Sequence, residues 1–187
     1  MPENRILTLP NLITFARLAL LPLLLWMLAI RQYQTALWLF VAASVGDGLD
    51  GFLARQLDQR SRLGALLDPI ADKLTILGIA WIFASQNLLP VWIAALMSLR
   101  DLIIVAGALA YRQYVGALEM APTLLSKLNT LLEFLLLAGV LGAQLGWLKV
   151  AEWMDAYLGV VAFTIIASGA QYVWVWGLKA RAHAHRH

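Results

Sequence analysis

The chain has 187 residues, 61% hydrophobic and 13% charged, with a net charge of +3 and a mean hydropathy of +0.75. Soluble domains carry about 25% charged residues, so this composition excludes a water-soluble globular domain; the absence of cysteine excludes disulfides and thiolate metal sites. An all-α, polytopic membrane protein is expected, because residues 74–99 and 156–178 hold no charge and about 18 such residues let a helix cross the hydrocarbon core.

Six transmembrane helices are expected, in one domain over residues 1–187. The first covers about 10–30, with Arg17 in its first half and Pro22 as a tolerated interruption. Arg5 followed by apolar residues has the outline of a secretory leader. Arg17 breaks that run and no small-residue cleavage site follows, so no leader is expected. The second span covers about 35–55, and a polar link from Gln56 to Arg62 leads to the third, about 63–85. Gln86, Asn87 and Pro90 turn the chain into the fourth, about 91–111. A link containing Gly116, Glu119 and Pro122 precedes the fifth, about 124–145, and the sixth covers about 157–178. His183, His185 and His187 could bind metal, but a flexible terminus makes a poor preorganised site, and a polar tail is expected.

With six spans, both termini share a side with the second-to-third and fourth-to-fifth links. Arg5, Arg55, Arg60, Arg62, Arg112, Lys127, Lys179, Arg181 and Arg186 gather there, against Arg31 and Lys149 opposite. Positive charge marks the cytoplasmic side, which places the chain in the inner (cytoplasmic) membrane with that face inward.

Four aspartates are the candidates for chemistry. Asp47 and Asp50 stand three apart near the cytoplasmic end of the second span; Asp68 and Asp72 stand four apart near the start of the third. Those spacings put each pair on one helix face. The short link makes the two helices antiparallel neighbours, so all four carboxylates can converge near one membrane surface. They cannot all stay ionised in a partly apolar site without cations. Oxygen ligands without Cys or His select Mg2+, Mn2+ or Ca2+, and a pair of such ions can clamp a diphosphate. The alternative is a set of solvated helix ends paired with Arg55, Arg60 and Arg62. Ionisable groups in membrane spans favour the functional reading. Gly51, Ala54 and Gly64 lie beside these acids, where small residues either tighten helix packing or leave clearance for a ligand.

The run Asp47-Gly-Leu-Asp50-Gly51-Phe-Leu-Ala54-Arg55, followed by Gly64, Asp68 and Asp72, resembles the complete signature of the CDP-alcohol phosphotransferase family. Similarity extends from Pro10-Asn11 to about Asn129. The resemblance implies that Asp47, Asp50 and Asp68 ligate two divalent ions, Mg2+ or Mn2+. Asp72 would lie near the metals and serve mainly as the general base on the acceptor hydroxyl. It further implies that Gly51, Ala54, Arg55 and Gly64 take the CDP-lipid, that CMP is released, and that the chain forms a homodimer.

The acceptor is less constrained. Asn11, Thr14 and Arg17 are three apart on one face, suited equally to capping, anchoring or lipid-phosphate contact. Arg100 and Asp101 in the fourth span form either an internal pair or a contact for an anionic substrate. Arg112 and Lys127 are further basic candidates, and Glu133 could cap a site or pair with Lys127 or Arg100. The stretch from Arg100 to Thr130 resembles the cardiolipin synthase branch of the family, which implies phosphatidylglycerol as acceptor. Glycerol 3-phosphate is the alternative, as in phosphatidylglycerophosphate synthases, with inositol phosphate or serine behind it. A membrane transporter is the rival from another class, disfavoured because the acids gather at one surface and no internal repeat is visible. Expected partners are CDP-diacylglycerol, the alcohol acceptor, membrane lipids and a second copy, with no nucleic acid.

Overall fold

A computed structural model describes residues 9–56, 62–114, 123–149 and 152–184, with side chains over 15–46, 70–111, 113, 123–149 and 152–175. The chain forms six helices: α1 (Leu9–Ala29), α2 (Tyr33–Gln56), α3 (Arg62–Ser85), α4 (Val91–Tyr114), α5 (Leu124–Gln144) and α6 (Met154–Ala184). Each expected span coincides with one helix. The largest departure is α6, which begins three residues earlier and ends six later than 157–178. Its extension, Lys179 to Ala184, alternates alanine with Arg and His, and alanine is the strongest helix former.

Among the described residues three helices are long and apolar enough to cross a membrane: Val91–Tyr111, Leu124–Gln144 and Met154–Val175. They make the chain a helical membrane protein. The apolar stretch of α1 is shorter, Phe15–Ala29. Acids and bases interrupt the others: Asp47, Asp50 and Arg55 in α2, and Arg62, Asp68, Asp72 and Lys73 in α3.

Two compact units form, Met1–Phe83 with Leu141–Trp147, and Ala84–Val140 with Leu148–His187. In the first, a three-residue turn folds α2 back antiparallel to α1. Gln32 N–H donates to the Met27 carbonyl at 2.8 Å and Arg31 N–H to Leu28 at 3.0 Å, with Arg31 at φ 60°. This is a Schellman stop, which satisfies the last carbonyls of the helix. Leu24, Leu28, Ala36, Phe40, Ile76, Ile79 and Phe83 are buried there. A Cβ added at Gly78 would lie 2.9 Å from Leu25 Cδ2, so α3 meets α1 closely there and a side chain at 78 would displace the end of Leu25.

In the second unit, Thr123 caps α5: its Oγ1 accepts the Ser126 N–H at 3.2 Å. Asp155 lies in the first turn of α6, where negative charge complements the helix dipole. Ile93, Met97, Leu136, Leu137, Val161 and Ile165 are buried, while Leu102, Leu109, Phe163 and Ile166 point outward. Apolar side chains on both sides of a helix are what a hydrocarbon surrounding demands.

Candidate active site

The signature straddles the link between two helices. Asp47, Asp50, Gly51, Ala54 and Arg55 lie in the last ten residues of α2; Gly64, Asp68 and Asp72 lie in the first eleven of α3. Side chains at 47, 50, 51, 54, 55, 64 and 68 fall outside the described ones, as do those of Asn11, Arg112 and the three histidines.

Asp72 is described, and it holds a partner 55 residues away. Arg17 Nη2, on α1, donates to Asp72 Oδ1, on α3, at 2.5 Å. The two side chains differ in setting, Arg17 being 8% exposed and Asp72 41%. A guanidinium buried this far needs a counter-charge, since an uncompensated buried ion costs several kcal/mol. A charge-assisted bond between guanidinium and carboxylate is strong and directional. Arg17, placed by its spacing on one face with Asn11 and Thr14, therefore turns toward α3. The contacts Arg17–Asp72 and Leu25–Gly78 both advance along the two helices together, so α1 and α3 run parallel.

The second unit contains a different polar cluster. Arg100 on α4 is buried and donates from three nitrogens: Nη1 to Asp101 Oδ1 at 2.7 Å, Nη2 to Ser126 Oγ at 2.6 Å and Nε to Ser168 Oγ at 3.1 Å. It thereby ties α4 to α5 and α6. A second chain of bonds runs beside it: Thr164 Oγ1 donates to Asn129 Oδ1 at 3.0 Å, and Asn129 Nδ2 donates to Glu133 Oε1 at 2.7 Å. Glu133 is 1% exposed, so this carboxylate is enclosed within the helices. Lys127, one of the two bases considered as its partner, lies exposed; the amide of Asn129, one turn earlier, donates to Glu133. Sequence reasoning passed over Ser126, Asn129, Thr164 and Ser168, although Ser126, Asn129 and Glu133 at steps of three and four mark one face of an apolar helix. A cavity of about 590 Å³ opens between α4 and α6, lined by Leu99, Ile103, Ile166 and Val173 with Arg100 at its wall.

As a donor set, four aspartates on adjoining helix ends, without sulfur or imidazole, fit a hard divalent cation.

The model of the family described as CDP-alcohol phosphatidyltransferase matches residues 7–175. A CDP-diacylglycerol–glycerol-3-phosphate 3-phosphatidyltransferase of the chloroplast of Oryza sativa is 31% identical over 96% of this chain and 59% of its own. The cardiolipin synthase (CMP-forming) of Homo sapiens is 30% identical over 88% of this chain and 60% of its own. That of Streptomyces coelicolor is 37% identical over 59% of this chain and 55% of its own. The chain thus spans less than two thirds of the length of these relatives.

Proposed function

The chain belongs to the CDP-alcohol phosphatidyltransferase family, and from that premise we propose that it transfers the phosphatidyl group of CDP-diacylglycerol to an alcohol and releases CMP. The complete carboxylate signature on α2 and α3 carries this conclusion.

Asp47, Asp50 and Asp68, with Asp72 close by, would hold two divalent ions, Mg2+ or Mn2+. Bound there, such ions neutralise the charge that develops on the diphosphate and on departing CMP. Gly51, Ala54 and Gly64 leave room for the nucleotide end of the lipid, and Arg55 holds it. Asp72 accepts the proton of the acceptor hydroxyl. The oxygen then bonds to the phosphorus that carries the diacylglycerol, as the bond from that phosphorus to the CMP oxygen breaks. A base in this position contributes by being held at the right distance in the right protonation state. All six helices cross the membrane in this proposal, with the acids at the cytoplasmic surface where the nucleotide lies, and two copies pair.

Phosphatidylglycerol is the proposed acceptor, giving cardiolipin; the names of the human and Streptomyces relatives support it. Glycerol 3-phosphate is the second reading, supported by the rice relative. For the acceptor's phosphate we propose Asn11, Arg112 and the exposed Lys127. Arg100 would join them by exchanging a serine partner for phosphate, and Arg17 only by leaving Asp72.

The test is to supply purified protein in lipid nanodiscs with CDP-diacylglycerol, Mg2+ or Mn2+, and each acceptor separately, and to weigh the lipid product. Cardiolipin from phosphatidylglycerol is expected. Product from glycerol 3-phosphate alone would move the chain to the second reading. Turnover that persists after complete chelation would remove the mechanism.

A further inference from the structure

We propose that Arg17 is a positioning residue for the base: it holds the Asp72 carboxylate from the buried side so that its exposed side is presented to the acceptor hydroxyl. The proposal rests on Asp72 acting as proposed above.

Three observations support it. The bond is direct, Nη2 to Oδ1 at 2.5 Å, and it crosses from α1 to α3 rather than joining residues of one helix. The partners are unequally enclosed, 8% against 41% exposed. The cation is thus fixed by the packing around it, while the acid that it grips remains accessible. A carboxylate at a helix surface otherwise samples several side-chain rotamers, and a misplacement of about 1 Å in a reacting group can cost about 100-fold in rate. A planar guanidinium enclosed by packing fixes the direction of the donor that meets the carboxylate. Finally, the acid that Arg17 meets is the one that the signature reserves for proton transfer. Arg17 stands outside residues 47–72, 55 residues before its partner, and geometry is what joins it to Asp72.

The experiment measures kcat and KM for CDP-diacylglycerol in nanodiscs with saturating metal, for wild type, Arg17→Gln, Arg17→Lys, Asp72→Asn and Arg17→Gln/Asp72→Asn, each normalised to folded protein. Residues that orient a reacting shell lose about 10–100-fold when replaced, so Arg17→Gln should lower kcat by that factor. KM should stay within about threefold, because the lost interaction orients the reaction rather than binding the lipid. Arg17→Lys, which keeps the charge but not the fork, should fall between wild type and Arg17→Gln. In the Asp72→Asn background the Arg17→Gln change should add almost nothing, because two residues acting as one unit do not lose twice.

Wild-type kcat in Arg17→Gln overturns the proposal. So does a loss that multiplies in full with that of Asp72→Asn, since a residue that merely stabilises the fold would behave so. If Arg17→Gln does not fold, Arg17→Lys in both backgrounds is read by the same rule. Wild-type protein that forms no CMP with any acceptor overturns the functional reading, and this proposal with it; the other failures strike the proposal alone.

Discussion

Each unit of the molecule contains an arginine–aspartate pair, and the two pairs are built for opposite ends. Arg100 and Asp101 are adjacent in sequence and enclosed, with side chains 3% and 10% exposed, and the guanidinium is further bonded to Ser126 and Ser168. Arg17 and Asp72 are far apart in sequence, and the acid is 41% exposed. In the first pair both charges are consumed by the protein. In the second the cation is enclosed and the acid reaches the surface. On the proposed function, burial of the carboxylate, rather than the identity of the pair, separates a helix clamp from a working group.

The sharpest way to break this comparison is to remove each acid's or base's function in turn. Asp72→Asn keeps the shape of the side chain and its acceptor oxygen for Arg17 but cannot take up a proton in the same way. It should lower turnover by about 100- to 10,000-fold, the range that general-base catalysis supplies; activity equal to wild type would reduce Asp72 to a structural acid. Arg100→Met should act on stability instead. Removing one partner of an enclosed ion pair costs about 3–5 kcal/mol, read as a lower denaturant midpoint in mixed micelles. A variant that unfolds like wild type but shows a raised KM for the acceptor would mean that Arg100 leaves its serines for substrate, and the contrast between the pairs would collapse. The smallest effect belongs to Thr164→Val, which deletes the hydroxyl bonded to Asn129 without changing shape. Hydrogen bonds between membrane helices average about 0.6 kcal/mol, so a shift of that order is expected, with turnover unchanged. A larger loss would show that the Asn129–Glu133 arm, not Arg100, holds the unit together.

Helix positions were legible in the sequence because hydropathy and breakers act locally. Pro90 precedes α4 and its carbonyl accepts the Ile93 N–H at 3.0 Å, and Asn87 takes the left-handed φ of 59° that its turn needs. The signature itself was legible for the same reason, as fixed spacings over residues 47–72. The partners of the buried charges were not. Ser126 and Ser168 lie 26 and 68 residues from Arg100, and no periodicity within α4 points to either. Arg17 and Asp72 are joined only by how α1 packs on α3. Glu133 is the instructive case, because its donor Asn129 was within reach on the same face. A search restricted to opposite charges passes over an amide that can do the same work inside a membrane.

Gly78 has a consequence beyond packing. It lies six residues past Asp72 on α3, roughly 9 Å along the axis at 1.5 Å per residue, and it touches Leu25, eight residues past Arg17 on α1. The same two helices therefore meet at two heights, at the Gly78–Leu25 contact and at the ion pair. A side chain at 78 too large for the end of Leu25 to yield to would act as a wedge, spreading α1 from α3 and lengthening the grip on Asp72 without touching any reacting group. A substitution deep among apolar residues would then mimic an active-site defect, and a genetic screen for lost lipid synthesis would score it as one.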